Sequence, residues 1–180
     1  MQEEKVILVD EQDNAIGEMG KMEAHEKGLL HRAFSVFIFN NNKLLIQRRA
    51  FEKYHSPGMW ANTCCSHPRK GESVMEAANR RLMEEMGMKC NLKPAFSFIY
   101  KAGFENGLTE HEFDHVLIGF CSDNIDINPD EVAEYSWADI DFLSKDMEEN
   151  PDKYTIWFRI AYPRVLEYLH KRKRKQESPQ

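Results

Sequence analysis

The sequence contains no apolar run approaching the length that crosses a bilayer. Its opening residues, "MQEEKVILVD", lack the basic flank and apolar core of a secretory leader. The expected location is therefore the cytoplasm, with no membrane partner. Cysteine is sparse: Cys64, Cys65, Cys90 and Cys121 show no paired CxxC spacing, which argues against a disulfide framework or zinc ribbon and for free thiols. An excess of positive charge is missing too. The net charge of −6 counts against general nucleic-acid binding, which depends on neutralising phosphates. One basic run, "HKRKRK" from His170 to Lys175, reads as a solvated helix end.

No repeat, low-complexity tract or linker divides the chain, so one domain over 1–180 is expected, with a frayed polar tail from about residue 171. With 42% hydrophobic and 30% charged residues, the composition is that of an ordinary folded domain that needs no disulfide or structural metal. In "AFSVFIFNNNKLLIQRRA" two apolar runs flank Asn40, Asn41 and Asn42, which predicts a β-hairpin. β-branched and aromatic residues predict further strands at "AFSFIYKAGF", "TEHEFDHVLIGFC" and "EVAEYSWADI". A helix is clearest at "SVMEAANRRLMEEMG": Ser73 and Glu76 have capping-box spacing, Met75, Ala78, Leu82 and Met86 form an apolar stripe, and Gly87 suits the C-terminal cap. "DIDFLSKDMEE" and "YTIWFRIAYPRVLEYLHK" read as helices, the second bent at Pro163. The fold class is α+β, a mixed β-sheet packed between α-helices.

Several groups in this frame have chemical potential. Glu110 and Glu112 lie two apart on a predicted strand, so both carboxylates project from one face, and Asp114 continues the row. Read alone, the row is a solvent-facing polar stripe. His25 and His31 are six apart with Gly28 between them, so only a folded loop brings both to one metal; His67 follows Cys65 by two. Imidazoles suit zinc, manganese or iron, and added carboxylates favour higher coordination than a closed tetrahedral site. Glu72, Glu84 and Glu85 offer magnesium ligands near a diphosphate, or simply a solvated helix face paired with Arg80 and Arg81. Lys21, Arg48, Arg49, Lys53, Arg69 and Lys70 are candidate anion contacts. Tyr100 and Trp157 fill a core or line a pocket, where an indole face stabilises a cation.

The run "SHPRKGESVMEAANRRLMEEMGM" resembles the Nudix box, G-x5-E-x7-R-E-U-x-E-E-x-G-U, at Glu72, Arg80, Leu82, Glu84, Glu85 and Gly87. Ser66 replaces its first glycine, and Arg81 replaces the glutamate that follows the arginine. Through most of its length the chain is similar to type I isopentenyl-diphosphate Δ-isomerases, which share the Nudix fold. The pattern N-T-x-C-S-H-P, here "NTCCSHP", followed by "EHE", is the specific part of the likeness.

That resemblance implies an isomerase that interconverts isopentenyl and dimethylallyl diphosphate, an allylic/homoallylic pair, through a tertiary carbocation-like intermediate. It aligns Cys65, not Cys64, with the catalytic cysteine, and implies catalytic roles for Glu112 and Tyr100. It implies one divalent ion (Mn2+, Zn2+ or Mg2+) held by His25, His31, His67, Glu110 and Glu112. It also implies Mg2+ on Glu85 bridging to the diphosphate, phosphate contacts from Lys21, Arg49, Lys53 and Arg80, and a pocket wall at Trp157. A monomer or weak homodimer is expected. Two competing readings are a Nudix hydrolase of a nucleoside diphosphate derivative, against which Arg81 counts, and a noncatalytic diphosphate-binding module.

Overall fold

The computed structural model describes residues 4–177. In chain order the strands are β1 Lys5–Val9, β2 Ala15–Gly20, β3 His31–Asn40, β4 Lys43–Arg49, β5 Trp60–Ala61, β6 Cys64–Ser66, β7 Lys93–Gly103, β8 Thr109–Phe120 and β9 Val132–Asp139. The α-helices are α1 Lys21–Lys27, α2 Val74–Met86, α3 Ile140–Glu149 and α4 Ile156–Glu177. All the strands belong to one mixed sheet, in which β3 runs parallel to β8 and every other pairing is antiparallel.

The apolar run of β3 makes it the centre. Successive side chains on a strand leave opposite faces. Phe34, Val36 and Ile38 join Leu82 and Met86 of α2 in one core, while Phe37 and Phe39 join Phe158, Tyr162 and Val165 of α4 in another. A strand buried on both faces has no need of polar alternation. Each fully buried Phe contributes roughly 1.5–3 kcal/mol.

The predicted hairpin forms only at its tip. Phe39 pairs with Leu44 and Asn40 with Lys43, and Asn41 turns the chain at φ 52°. Beyond that point β4 pairs with β9, and β6 takes the vacated length of β3 from Phe34 to Val36. Asn62 and Thr63 suture the gap. Thr63 Oγ1 accepts from Ile38 N at 2.9 Å and donates to Leu45 O at 2.6 Å, and Asn62 Nδ2 donates to Val36 O at 3.1 Å and Cys64 O at 3.0 Å. Side chains thus stand in for ladder bonds between diverging strands.

Helix α2 begins at the capping box the sequence predicts: Ser73 Oγ accepts from Glu76 N at 3.2 Å, and Glu76 Oε2 accepts from Ser73 N at 2.8 Å. It ends at Gly87, φ 60°, where a Cβ would lie 2.3 Å from the Asp126 carbonyl, so a side chain there is excluded twice over. Helix α4 runs through Pro163 and on to Glu177, where a frayed tail was expected from about residue 171. Buried Phe158, Tyr162 and Val165 anchor the helix on both sides of the proline. Lys171 pairs with Glu167 one turn back at 2.6 Å, and the basic run is exposed. No helix among the described residues is long and apolar enough to cross a membrane.

Candidate active site

Register carries the reactive groups together. His31 is the parallel partner of Glu112, Tyr100 is the antiparallel partner of Glu112, and Ala102 is the partner of Glu110. Glu110, Glu112 and Asp114 are buried on one face of β8, so the row is an interior one rather than a solvent stripe. Ser35 pairs with Cys65 across β3 and β6, and its hydroxyl donates to Asp114 Oδ2 at 2.8 Å.

His25 and His31 converge because α1 stops short. Gly28 adopts the left-handed conformation at φ 61° and caps the helix by donating to Ala24 O. The chain then turns into β3 with His31 at its first position. His67, just past β6, completes the set, and the donor atoms of His25, His31, His67 and Glu112 lie within 4.8 Å of one another. Both ring nitrogens of His25, Nε2 of His31 and Nδ1 of His67 are buried without a hydrogen-bond partner. Each such group costs about 1–3 kcal/mol when left unmade. A cation at their centre resolves this, and three imidazoles with a carboxylate are a fitting donor set, so the group could hold a metal ion.

The charge states agree with that use. Burial, reinforced by His67 and His31, lowers His25 to about 4, and burial lowers His67 as well, leaving both in the neutral form that ligates. Burial opposes a charge on Glu112, but His31 and His67 outweigh it and hold the carboxyl well below its usual range. His67 Nε2 is 3.0 Å from Glu112 Oε1 and His31 Nε2 is 3.6 Å from the same oxygen.

Glu110 stands outside this group of four. Burial and the charge of Glu112 push it well above its usual range. Tyr100 Oη lies 2.7 Å from Glu112 Oε2 and 2.9 Å from Glu110 Oε2. A hydroxyl has one proton to give, so a protonated Glu110 donating to Tyr100, with Tyr100 donating to ionised Glu112, satisfies all three.

The two adjacent cysteines occupy different surroundings. Cys64 is wholly buried in the core beneath α2, with Leu82 and Ala78. Cys65, on the opposite face of β6, lines a cavity of about 840 Å³ together with His67, Tyr100, Glu110, Glu112 and Trp157. Burial pushes the Cys65 thiol far up, so it holds its proton.

Charged side chains line the same cavity. Lys21, Arg49, Lys53, Arg80, Arg81 and Glu85 line it. Lys21 Nζ pairs with Glu4 at 3.0 Å, and Lys53 pairs with Glu131. Arg80 is clamped by Glu72 at 2.7 and 2.9 Å and by Glu84 at 3.2 Å. Arg81, which reads in the sequence as a lost carboxylate and as an i,i+4 partner of Glu85, makes that pair at 2.7 Å and also bridges Glu84 at 2.6 Å and Glu131 at 3.3 Å. Glu85 also accepts from Gln47 Nε2 at 2.8 Å. The cations Arg81 and the imidazole His55 are cavity residues that sequence reasoning missed. The "RR" run and the "YH" pair before Pro57 were the available signals, and neither has a periodicity that separates cavity from surface.

Comparison with known proteins defines the class first. The NUDIX domain model matches residues 29–158. Solved structures agree on the fold: DR0079 from Deinococcus radiodurans superposes with a TM-score of 0.67 at 22% identity, covering 82% of this chain and 90% of that one. The MutT protein from Methanosarcina mazei Go1 gives 0.60 at 18% identity, covering 83% and 96%. Closer relatives narrow this. "Isopentenyl-diphosphate Delta-isomerase 2" of Aromatoleum aromaticum is 51% identical over 91% of this chain and 87% of its own length. The enzyme named isopentenyl-diphosphate Delta-isomerase in Pectobacterium atrosepticum is 50% identical over 91% and 92%. The chain belongs to the isopentenyl-diphosphate Delta-isomerase family, within the Nudix fold.

Proposed function

We infer that this chain interconverts isopentenyl and dimethylallyl diphosphate, in isoprenoid biosynthesis, by adding one proton and removing another. The observation that carries this reading is one cavity lined both by Cys65, Glu112 and Tyr100 and by Lys21, Arg49, Lys53, Arg80 and Glu85. An unactivated alkene is a very weak base, so protonating it needs a positioned acid in a dry pocket with a base across the substrate. Cys65 and the Tyr100–Glu112 pair supply the two proton-handling groups. Each is donor in one direction of the reaction and acceptor in the other. One turnover moves a proton from one group to the other, and solvent exchange resets them. The carbon between them develops positive charge, which the Trp157 indole, a lining residue of the cavity, would stabilise.

His25, His31, His67 and Glu112, with Glu110 beside them, would hold a divalent ion (Mn2+, Zn2+ or Mg2+), which supplies electrostatic tuning of the Glu112 carboxyl. Glu85 keeps lone pairs beyond those used by Gln47 and Arg81 and would share a magnesium ion with the substrate diphosphate. Lys21, Arg49 and Lys53, with Arg80 at the rim, bind the diphosphate, so that binding energy orients the alkene. Arg81 pairs with the helix carboxylates that a hydrolase would use for metals, which weighs against nucleotide hydrolysis. The net charge of −6 favours a small-molecule substrate over a nucleic acid, and we place the enzyme in the cytoplasm as a monomer or weak homodimer.

The test is proton NMR of isopentenyl diphosphate incubated with the protein and magnesium in deuterated water. Dimethylallyl diphosphate carrying deuterium is expected. Free phosphate, or an unchanged substrate, would overturn the reading.

A further inference from the structure

His55 lines the cavity, is 8% exposed, and has no part in the reading above. Its ring stacks on Phe104, with centroids 5.1 Å apart and 21° between planes, and meets Trp157 edge to face at 5.6 Å and 89°. Nε2 is 3.5 Å from Glu110 Oε1, and Nδ1 is buried with no partner. The His55 carbonyl accepts from Arg49 Nη2 at 3.3 Å, and that guanidinium covers the Trp157 ring at 5.1 Å. A buried imidazole with an unpartnered nitrogen costs more than an apolar ring of the same size, so packing alone does not account for it.

We propose that His55 is a positioning residue for the isomerisation, fixing the plane of the Trp157 indole and the rotation of the Glu110 carboxyl group. The proposal rests on the isomerase reading. Stabilisation of a cation by an indole depends on placing its face within about 6 Å of the charge. An edge-to-face neighbour on one side and a guanidinium on one face restrict the tilt of the indole. Glu110 is held from two directions, by Tyr100 and by His55, and through Tyr100 it shares a hydrogen-bond chain with Glu112. The contact of His55 with Arg49, one of the cations that take the diphosphate, runs through the His55 backbone carbonyl, which a side-chain substitution keeps, so loss of the ring should act on the chemical step rather than on substrate capture.

The test compares His55→Ala, His55→Phe and His55→Gln. His55→Ala is expected to lower kcat by about 10–100-fold while KM for isopentenyl diphosphate moves less than about threefold. His55→Phe keeps the ring and His55→Gln keeps a side-chain N–H, so each should recover part of the loss. The second readout is Trp157 emission, isolated by difference from Trp157→Phe. It should shift to the red and become more accessible to acrylamide in His55→Ala, and much less so in His55→Phe. Wild-type kinetics and unchanged emission in His55→Ala would overturn the proposal. So would an equal fall in all three variants that tracks lowered melting temperatures, because that marks fold support only. A wild-type chain that fails to isomerise overturns the function itself, and the Trp157 emission then still decides whether His55 sets the indole.

Discussion

Tyr100 and Glu112 face each other as cross-strand partners on β7 and β8, with the tyrosine oxygen 2.7 Å from one carboxylate oxygen. Burial, with the charge of Glu112, pushes the phenol well above its ordinary range, so it serves as a hydrogen-bond donor and not as a titrating base. Tyr100→Phe should therefore leave the fold intact and lower kcat by about 10–100-fold, the usual scale for losing a group that orients a metal-binding carboxylate. Glu112→Gln should abolish turnover. Parallel measurements of kcat and thermal melting check both; a Tyr100→Phe enzyme of wild-type kcat would contradict the assignment.

The two adjacent thiols should separate cleanly. Cys65→Ala is expected to abolish isomerisation with little change in melting temperature, because its side chain borders a cavity. Cys64→Ala should stay active but lose about 1–2 kcal/mol, since it empties volume in the core under α2. Denaturant unfolding beside the deuterium-incorporation assay reads both at once.

Metal should stabilise the chain through the histidine group. Adding zinc or manganese at a hundredfold excess over its Kd raises stability by about 2.7 kcal/mol if only the folded chain binds it. His25→Ala should remove most of that gain without a change in the basal melting temperature of more than a few degrees. Melting curves with metal and with chelator provide the check, and an equal metal response in His25→Ala would place the ion elsewhere.

Asp114 gives a pH dependence of definite sign. Burial first, then the charge of Glu112, raises its folded value from 3.8 to about 8. Between those limits the folded chain holds a proton that the unfolded chain has lost, so stability falls as pH rises through that window. Asp114→Asn removes the titration and keeps an acceptor for Ser35. With chelator present, it should stabilise the chain at pH 7.5, by roughly a few kcal/mol at most, and by much less at pH 5.

What was legible in the sequence was whatever a local pattern encodes. Ser73, Glu76 and Gly87 announce α2 because capping is a relation between residues a few positions apart. Glu110 and Glu112 announce a shared face because strand alternation is equally local. The burial of that face was not legible, because it depends on β3 running alongside β8, a partner about eighty residues distant. The hairpin misled for the same reason: the turn at Asn41 is real, but Asn62 and Thr63 decide where the strands part. Strands β1 and β2 and the short helix α1 carried too little periodicity to be assigned, although α1 is the element that delivers His25. His55 escaped notice, and Arg81 read as a helix-face partner and not as a cavity residue, because ring contacts and a bridge to Glu131 exist only in three dimensions.

Cys64 and Cys65 are neighbours in sequence, yet the sheet stands between their side chains. The pair therefore cannot close on itself as a vicinal disulfide without tearing β6 from β3. An electrophile entering the substrate cavity meets Cys65 and not Cys64, and alkylates it, slowly, through the small thiolate fraction that burial leaves. The stoichiometry of labelling thus becomes an integrity gauge for the sheet: a second equivalent taken up at this dipeptide would report that β6 has come away from β3.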